Sequence, residues 1–396
     1  MILSLCHDAL IIGGGPAGST LAIALANAGR QVVMVEKSKE AQHKVCGEFL
    51  SPESLPFLRQ IGIHPEQLGA QIIHSVRVAS RDVLAEVSLP APALSLTRRV
   101  LDEALLQRAQ QAGVNLLRGY TAESLSHQPS GGNKDLWRLQ ITDNAHASIS
   151  IQAPDAFLAT GKHDLRGWTR ASRRTQSNLV ALKMYFTLSP KQQSNLAGCV
   201  EIILYPGGYA GLQLVEGDGA NLCALINREK LQSLGGRWDH LLTYMRQHSP
   251  HLAQRLSGAR PILERPLAAS SIPYGYCADE LMKEPSPWRL GDQAAVIPSF
   301  SGDGMSIAMY TAHRAAQFYL EGSRPAAFHR ELRRRFRRHL YFTTLLSRMV
   351  IAVPSLAQAI RLWPSMLSRI FVATRQPEAP DPGRQAPNHF ISLSRF

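Results

Sequence analysis

The chain has 396 residues, 45% of them hydrophobic, with 29 glycines and 24 prolines: enough to bury one large core or two smaller ones beneath many loops. Lys and Arg outnumber Asp and Glu by 43 to 30, a formal net charge of +13 to which the C-terminal region contributes heavily. The five cysteines, at positions 6, 46, 199, 223 and 277, are odd in number and lack CxxC spacing, which argues against a disulfide framework or a metal site and for a reducing compartment. The first strand begins so early that no signal peptide fits before it, so a cytoplasmic location is expected.

Asp8 to Ile12 is a short apolar run suited to a buried parallel strand, and Ala17, Leu21, Leu25 and Ala28 then recur with helical spacing. Between them Gly13, Gly15 and Gly18 satisfy G-x-G-x-x-G, with Pro16 and Ala17 in the spacer. Gly13 permits a tight turn, Gly15 lets the backbone approach a pyrophosphate, and Gly18 lets helix pack on strand, so phosphates sit at the positive helix N-terminus. A second apolar strand, Gln31 to Val35, ends at Glu36, close to the ~20-residue offset at which a carboxylate accepts ribose hydroxyls. Its charge repels a 2′-phosphate, which disfavours NADP at this position. Lys37 follows directly.

The stretch Lys44-Val-Cys46-Gly47-Glu48 combines a cation, a thiol and an acid. Cys46 reads either as a half-buried small residue or as a thiol beside a ligand, and Glu48 becomes a candidate acid or base if buried. Arg99 to Asp102, with Leu105, Ala109 and Gly113, reads as an amphipathic helix. Gln128 to Lys134 is a polar hairpin loop, and Asp155 to Gly161 a further strand and turn. Leu179 to Phe186, Val200 to Tyr205 and Leu222 to Ile226 read as strands of a mostly antiparallel sheet, with Tyr209 following the glycine pair between them. Trp288 to Asp292 then ends a strand, Ala294 to Pro298 is apolar, and Gly302-Asp303-Gly304-Met305 opens a helix. From Arg330, Leu332, Phe336 and Leu340 form one stripe of a basic helix, with Arg334, Arg337 and Arg338 elsewhere around it. The apolar stretch that follows is broken by Arg348 and Pro354, so a membrane-spanning helix is not expected. Either these helices cap the protein and solvate their arginines, or a basic amphipathic surface lies peripherally on anionic lipid. Nucleic acid is not expected as a partner.

Paired with the distant stretch GDQAAVIPSFSGDGM, the first glycine motif resembles the FAD-dependent monooxygenase and geranylgeranyl reductase superfamily of p-hydroxybenzoate hydroxylase-like flavoproteins. The resemblance implies an α/β fold: a discontinuous Rossmann-like FAD-binding domain of glutathione reductase type (1–75, 95–165 and 285–330) and a mostly antiparallel substrate domain (76–94 and 166–284). Basic C-terminal helices (331–376) and a tail (377–396) complete the expected organisation. It implies that Asp292 binds the ribityl chain, that Arg99 reaches FAD, and that the helix begun by Gly302, Asp303, Gly304 and Met305 points its positive end at the flavin. Reduced flavin is anionic, so a helix N-terminus stabilises it. Lys37, Lys44, Cys46 and Gly47 join the expected cofactor contacts; Cys46, Glu48, Tyr209 and Pro298 are the candidates for chemistry. The Lys44 to Pro52 stretch resembles the Cys-Gly-Gly element of geranylgeranyl reductases, with Glu48 in place of the second glycine. Where hydroxylases carry the Asp-Gly pair associated with NADPH handling, this chain has Thr160-Gly161-Lys162-His163, so NAD(P)H enters only as a transient donor, or electrons come from a partner protein. The leading expectation is a monooxygenase that hydroxylates an aromatic or polyketide-like molecule through a flavin C4a-hydroperoxide. The alternatives are reduction of isoprenoid double bonds and a flavoprotein that modifies or matures a partner protein. Halogenation is a further possibility, from which the W-x-W-x-I-P element is missing.

Overall fold

A computed structural model describes residues 7–81, 83–129, 135–170, 175–278 and 285–352. The apolar runs 9–12 and 32–36 pair in parallel, as their unbroken burial requires, and the full sheet follows the order Trp288–Arg289, Asp155–Leu158, Ala9–Ile12, Val32–Glu36, Asn115–Arg118. Ala9, Ile11, Val32 and Met34 face one way, onto the Pro16–Asn27, Arg98–Gln111 and Gly304–Leu320 helices. Leu10, Ile12, Val33 and Val35 face the other, onto a small antiparallel sheet of Thr121–Gln128, Leu136–Thr142 and Ser148–Ala153. A parallel sheet thus lies between helices and a second sheet, the α/β architecture expected. Only part of the Gln128 to Lys134 loop falls among the described residues.

The large sheet has nine strands, antiparallel except where Cys199–Tyr205 runs parallel to Gln71–Ser80. Leu179–Thr187 and Gly219–Asn227 pair with Lys183 opposite Cys223 and Tyr185 opposite Asn221. Alternation gives this part of the sheet two unlike faces. Leu182, Met184, Phe186, Leu222 and Ala224 fill an apolar core, while Lys183, Tyr185 and Asn221 project from the opposite face and are buried all the same.

The C-terminal helix spans Pro325–Ala352. Phe328, Leu332, Phe336 and Leu340 enter the core as their spacing dictates, and Arg334, Arg337 and Arg338 are exposed. Beyond Leu340 the pattern reverses: Thr343, Thr344 and Ser347 are buried, whereas Tyr341, Phe342, Leu345 and Met349 are exposed. Close packing explains the buried hydroxyl residues in part, since a Cβ at Gly275 would lie 2.8 Å from Thr344 Oγ1. The rest of the expected C-terminal helices and the tail lie outside the described residues. Among those described, no helix is long and apolar enough to cross a membrane.

One buried acid anchors the far side of the large sheet. Glu201, fully buried, accepts from Arg77 Nη1 at 2.6 Å, Arg255 Nη2 at 2.8 Å and His251 Nε2 at 2.9 Å. Burial raises its pKa, but His251 and Arg255 outweigh that and hold it at about 2. A folded-state value below the ordinary carboxylate value means stability that is present near neutrality and is lost as pH falls toward 2. Glu201→Ala should therefore lower unfolding free energy by roughly 3–5 kcal/mol at pH 7, because the arginines lose their counter-charge. In urea titrations the variant should also lose less stability on acidification than the parent.

Candidate functional site

The carboxyl ends of the parallel strands open into a cleft of about 680 Å³, roofed by the large sheet. That volume is within the range of cofactor and small-molecule sites, about 300–1,000 Å³. Its first wall is the glycine loop. Gly13 has φ +108°, and a Cβ there would lie 2.4 Å from the Ala159 carbonyl oxygen; at Gly18 it would lie 1.9 Å from the Gly13 carbonyl oxygen. These glycines let the 16–27 helix sit against the sheet, and Gly18 does so from outside the cleft lining. At Gly15 a Cβ would meet only the Arg98 guanidinium, at 3.3 Å, so the backbone faces the cleft.

Pro16 opens the helix and no side chain caps its N-terminus. The 304–320 helix also begins without a side-chain cap, at Gly304 and Met305 on the same cleft. Two helix N-termini with uncapped N–H groups converge on one cavity, an arrangement that suits a pyrophosphate at one end and an anionic ring at the other. Glu36 is held at the loop by the N–H groups of Gly14 at 2.8 Å and Ser38 at 2.9 Å. Lys37, Lys44, Asp292 and Gly302 complete this part of the lining.

Four expectations about side-chain placement are corrected. Arg99 is exposed and outside the lining, and the arginine in the cleft is Arg98. Thr97 caps the helix one residue earlier than the sequence suggests, and this phase sets Arg98 over Asp102, with Nε–Oδ1 at 2.7 Å and Nη2–Oδ2 at 2.8 Å. Asp303 is buried beside the C-terminal helix, its Oδ2 3.6 Å from His339 Nε2, and does not line the cleft. Tyr209 belongs to an apolar cluster with its ring on Phe300; the tyrosines that line the cleft are Tyr120 and Tyr274. Pro298 is buried outside the lining, where its carbonyl accepts from Ser301 Oγ at 3.0 Å and closes the 299–301 turn.

Cys46, Gly47 and Glu48 do lie on the cleft, clamped by the polar face of the large sheet. Asn221 Nδ2 donates to the carbonyls of Cys46 at 3.2 Å and Gly47 at 2.9 Å, and Lys183 Nζ to that of Lys44 at 3.1 Å. Glu48 pairs with Lys183 at 2.7 Å, both side chains fully buried. Its carboxylate also accepts from Tyr185 Oη at 2.7 and 2.8 Å and from the Arg98 N–H at 2.8 Å. Burial pushes its pKa above the ordinary carboxylate value, with Lys183 and Tyr185 opposing. His43 Nδ1 lies 3.0 Å from the Tyr185 hydroxyl. Sequence reasoning missed His43, Lys183 and Tyr185. The available signal was a lysine and a tyrosine two apart, on one face of an otherwise apolar strand.

Residues 7–138 match the model of the FAD binding domain family. The chain is a flavoprotein that binds FAD. It is 23% identical over 329 residues to menaquinone reductase of Mycolicibacterium smegmatis, covering 80% of this chain and 76% of that one. It is equally 23% identical over 333 residues to digeranylgeranylglycerophospholipid reductase 2 of Methanosphaera stadtmanae, covering 80% and 79%. In fold the flavoprotein is similar to a triple mutant of a flavin-dependent brominase, with TM-score 0.75, 18% identity and coverage of 94% and 96%. The myxobacterial chondrochloren halogenase superposes with TM-score 0.70 at 21% identity, covering 86% and 82%. The flavoprotein is an FAD-dependent oxidoreductase.

Two substitutions probe the cleft differently. Asp292→Ala should weaken FAD binding at least about tenfold, or about 1.4 kcal/mol, without lowering the melting temperature of the apoprotein. Gly18→Val should yield flavin-free protein, since its side chain collides with the Gly13 carbonyl. Titration of apoprotein with FAD and flavin absorbance per chain measure both; full flavin content in both variants would remove FAD from this cleft.

Proposed function

We propose that the flavoprotein is a reductase that adds an electron pair and a proton to a double bond of a hydrophobic, isoprenoid-type small molecule. The observation that carries this reading is Glu48, a carboxyl buried on the cleft wall, whose pKa burial pushes above the ordinary carboxylate value against the pull of Lys183 and Tyr185. Reduction of an isolated double bond requires an acid where the electrons arrive, and a carboxyl whose pKa is raised by burial holds a proton more readily than a free one. Bound FAD supplies the electrons. The chain supplies the proton at Glu48 and an apolar wall of Ala269, Ile272, Val296 and Ile297, which limits the access of water to the acceptor.

This moves the balance from oxygen transfer, the leading sequence expectation, toward the alternative. Two of the relatives matched over most of the chain support it, since both are named as reductases and menaquinone and digeranylgeranylglycerophospholipid are isoprenoid compounds. Cys46 stays at the wall as a shape-giving neighbour of Glu48, whose N–H lies 3.4 Å from Cys46 Sγ. Electrons reach FAD from a transient nicotinamide or a donor protein.

The test is anaerobic photoreduction of the FAD-loaded protein, followed by mixing with isoprenoid lipids in one arm and with oxygen and phenols in the other. Mass spectrometry should find an isoprenoid that has gained a hydrogen pair. A hydroxylated phenol with no hydrogenated lipid would return the assignment to monooxygenation.

A further inference from the structure

Glu48 has φ +63°, a backbone conformation that glycine adopts freely and other L-residues adopt at a cost of about 1–2 kcal/mol. Glycine would suit that conformation, and this chain places a carboxylate there instead. Strain of this kind persists where the surroundings fix it, and here four contacts do so: Lys183 Nζ, the Tyr185 hydroxyl to both carboxylate oxygens, and the Arg98 N–H. From Tyr185 the chain of hydrogen bonds continues to His43, half-buried on the cleft wall. The His43 and Tyr185 rings are 4.6 Å apart, and Lys183 Nζ sits 4.5 Å from the Tyr185 ring centroid.

We propose that His43, Tyr185 and Glu48 form a proton path that resupplies the cleft, with Lys183 as the fixed charge that positions Glu48. The proposal rests on the reductase reading and extends it to residues outside the cofactor motifs. When the acceptor takes an electron pair with one hydrogen from the cofactor, its second carbon takes the Glu48 proton, leaving a carboxylate against Lys183. Tyr185 passes its hydroxyl proton to that carboxylate as it takes the Nδ1 proton of His43, and His43 regains a proton from solvent at Nε2. No net charge is left on the tyrosine. Burial, with Glu48 beside it, holds the phenol far above its ordinary pKa, so it relays without ionising. Burial, Lys183 and Arg99 hold His43 down to about 4, so it is neutral at physiological pH. The other titratable groups acting on the path are Cys46 and Glu216 at Tyr185, and Cys223 within reach of Glu48 and Lys183.

The FAD-loaded full chain is compared with Glu48→Gln, Tyr185→Phe and the double variant Glu48→Gly with Lys183→Met. The double variant restores the residue that position 48 favours and removes the lysine that would lose its partner, so it folds and binds FAD if the strain argument holds. Protons taken up per electron pair are measured by an indicator dye during anaerobic photoreduction, without substrate. At an alkaline pH where Glu48 has lost its proton, wild type should take up more than Glu48→Gln or the double variant, because negative charge gained by the cofactor raises the Glu48 pKa. With an isoprenoid acceptor, Glu48→Gln should turn over about a hundredfold more slowly, without the decline at alkaline pH that loss of the Glu48 proton gives wild type. Tyr185→Phe should keep the proton count but slow repeated turnover and lose the solvent deuterium isotope effect on it. Equal proton uptake and an unaltered pH profile in all variants would overturn the path. Glu48-dependent uptake in a protein that reduces no isoprenoid would instead overturn the reductase reading and leave the path standing.

Discussion

The buried pair of Glu48 and Lys183 is the joint on which the cleft depends. One partner belongs to the segment that leaves the glycine-loop half of the molecule, and the other to a central strand of the large sheet. Taking two such charges out of water costs several kcal/mol for each ion, a cost recovered only with good geometry and further hydrogen bonds. Those bonds come from the Tyr185 hydroxyl and from the first N–H of the 98–111 helix, so the joint draws together three elements distant in sequence. The residues 43–48 are therefore held from both sides, and the cleft wall they form is a fixed surface.

The cofactor half was legible in the sequence because its determinants are local. A strand, three glycines and a helix within twenty residues leave little freedom, and Gly13 and Gly18 occupy positions where any Cβ meets backbone. The second motif was legible by its pairing with the first. Positions that depend on helix phase or on which way a loop side chain turns were not. Arg98 and Arg99 are adjacent in sequence, and only the Thr97 cap decides which one faces the cleft. Asp303 sits among motif residues yet turns toward His339 on a helix that begins more than twenty residues later.

Lys183 and Tyr185 mark the limit from another direction. Their strand read correctly as a strand, and alternation places them on one face. What covers that face comes from residues 43–48, a separation of about 140 residues that no local pattern spans. The same holds for the C-terminal helix, whose first half obeys its apolar stripe while its second half buries Thr343, Thr344 and Ser347 against a neighbour that includes Gly275.

The backbone at position 48 bears on how such an active site diversifies. Glutamate and glycine codons differ by a single base, and the left-handed conformation there accepts glycine without rearrangement. Loss or gain of a cleft carboxyl is thus one point mutation deep, and it leaves the glycine loop and both helix ends untouched. The lysine beneath it is the slower partner, because an ammonium fully buried in the sheet is tolerated only while an acid faces it. Chains of this fold that differ at position 48 should then differ at position 183 as well, so that proton supply varies as a linked pair of substitutions while the cofactor-binding frame stays constant.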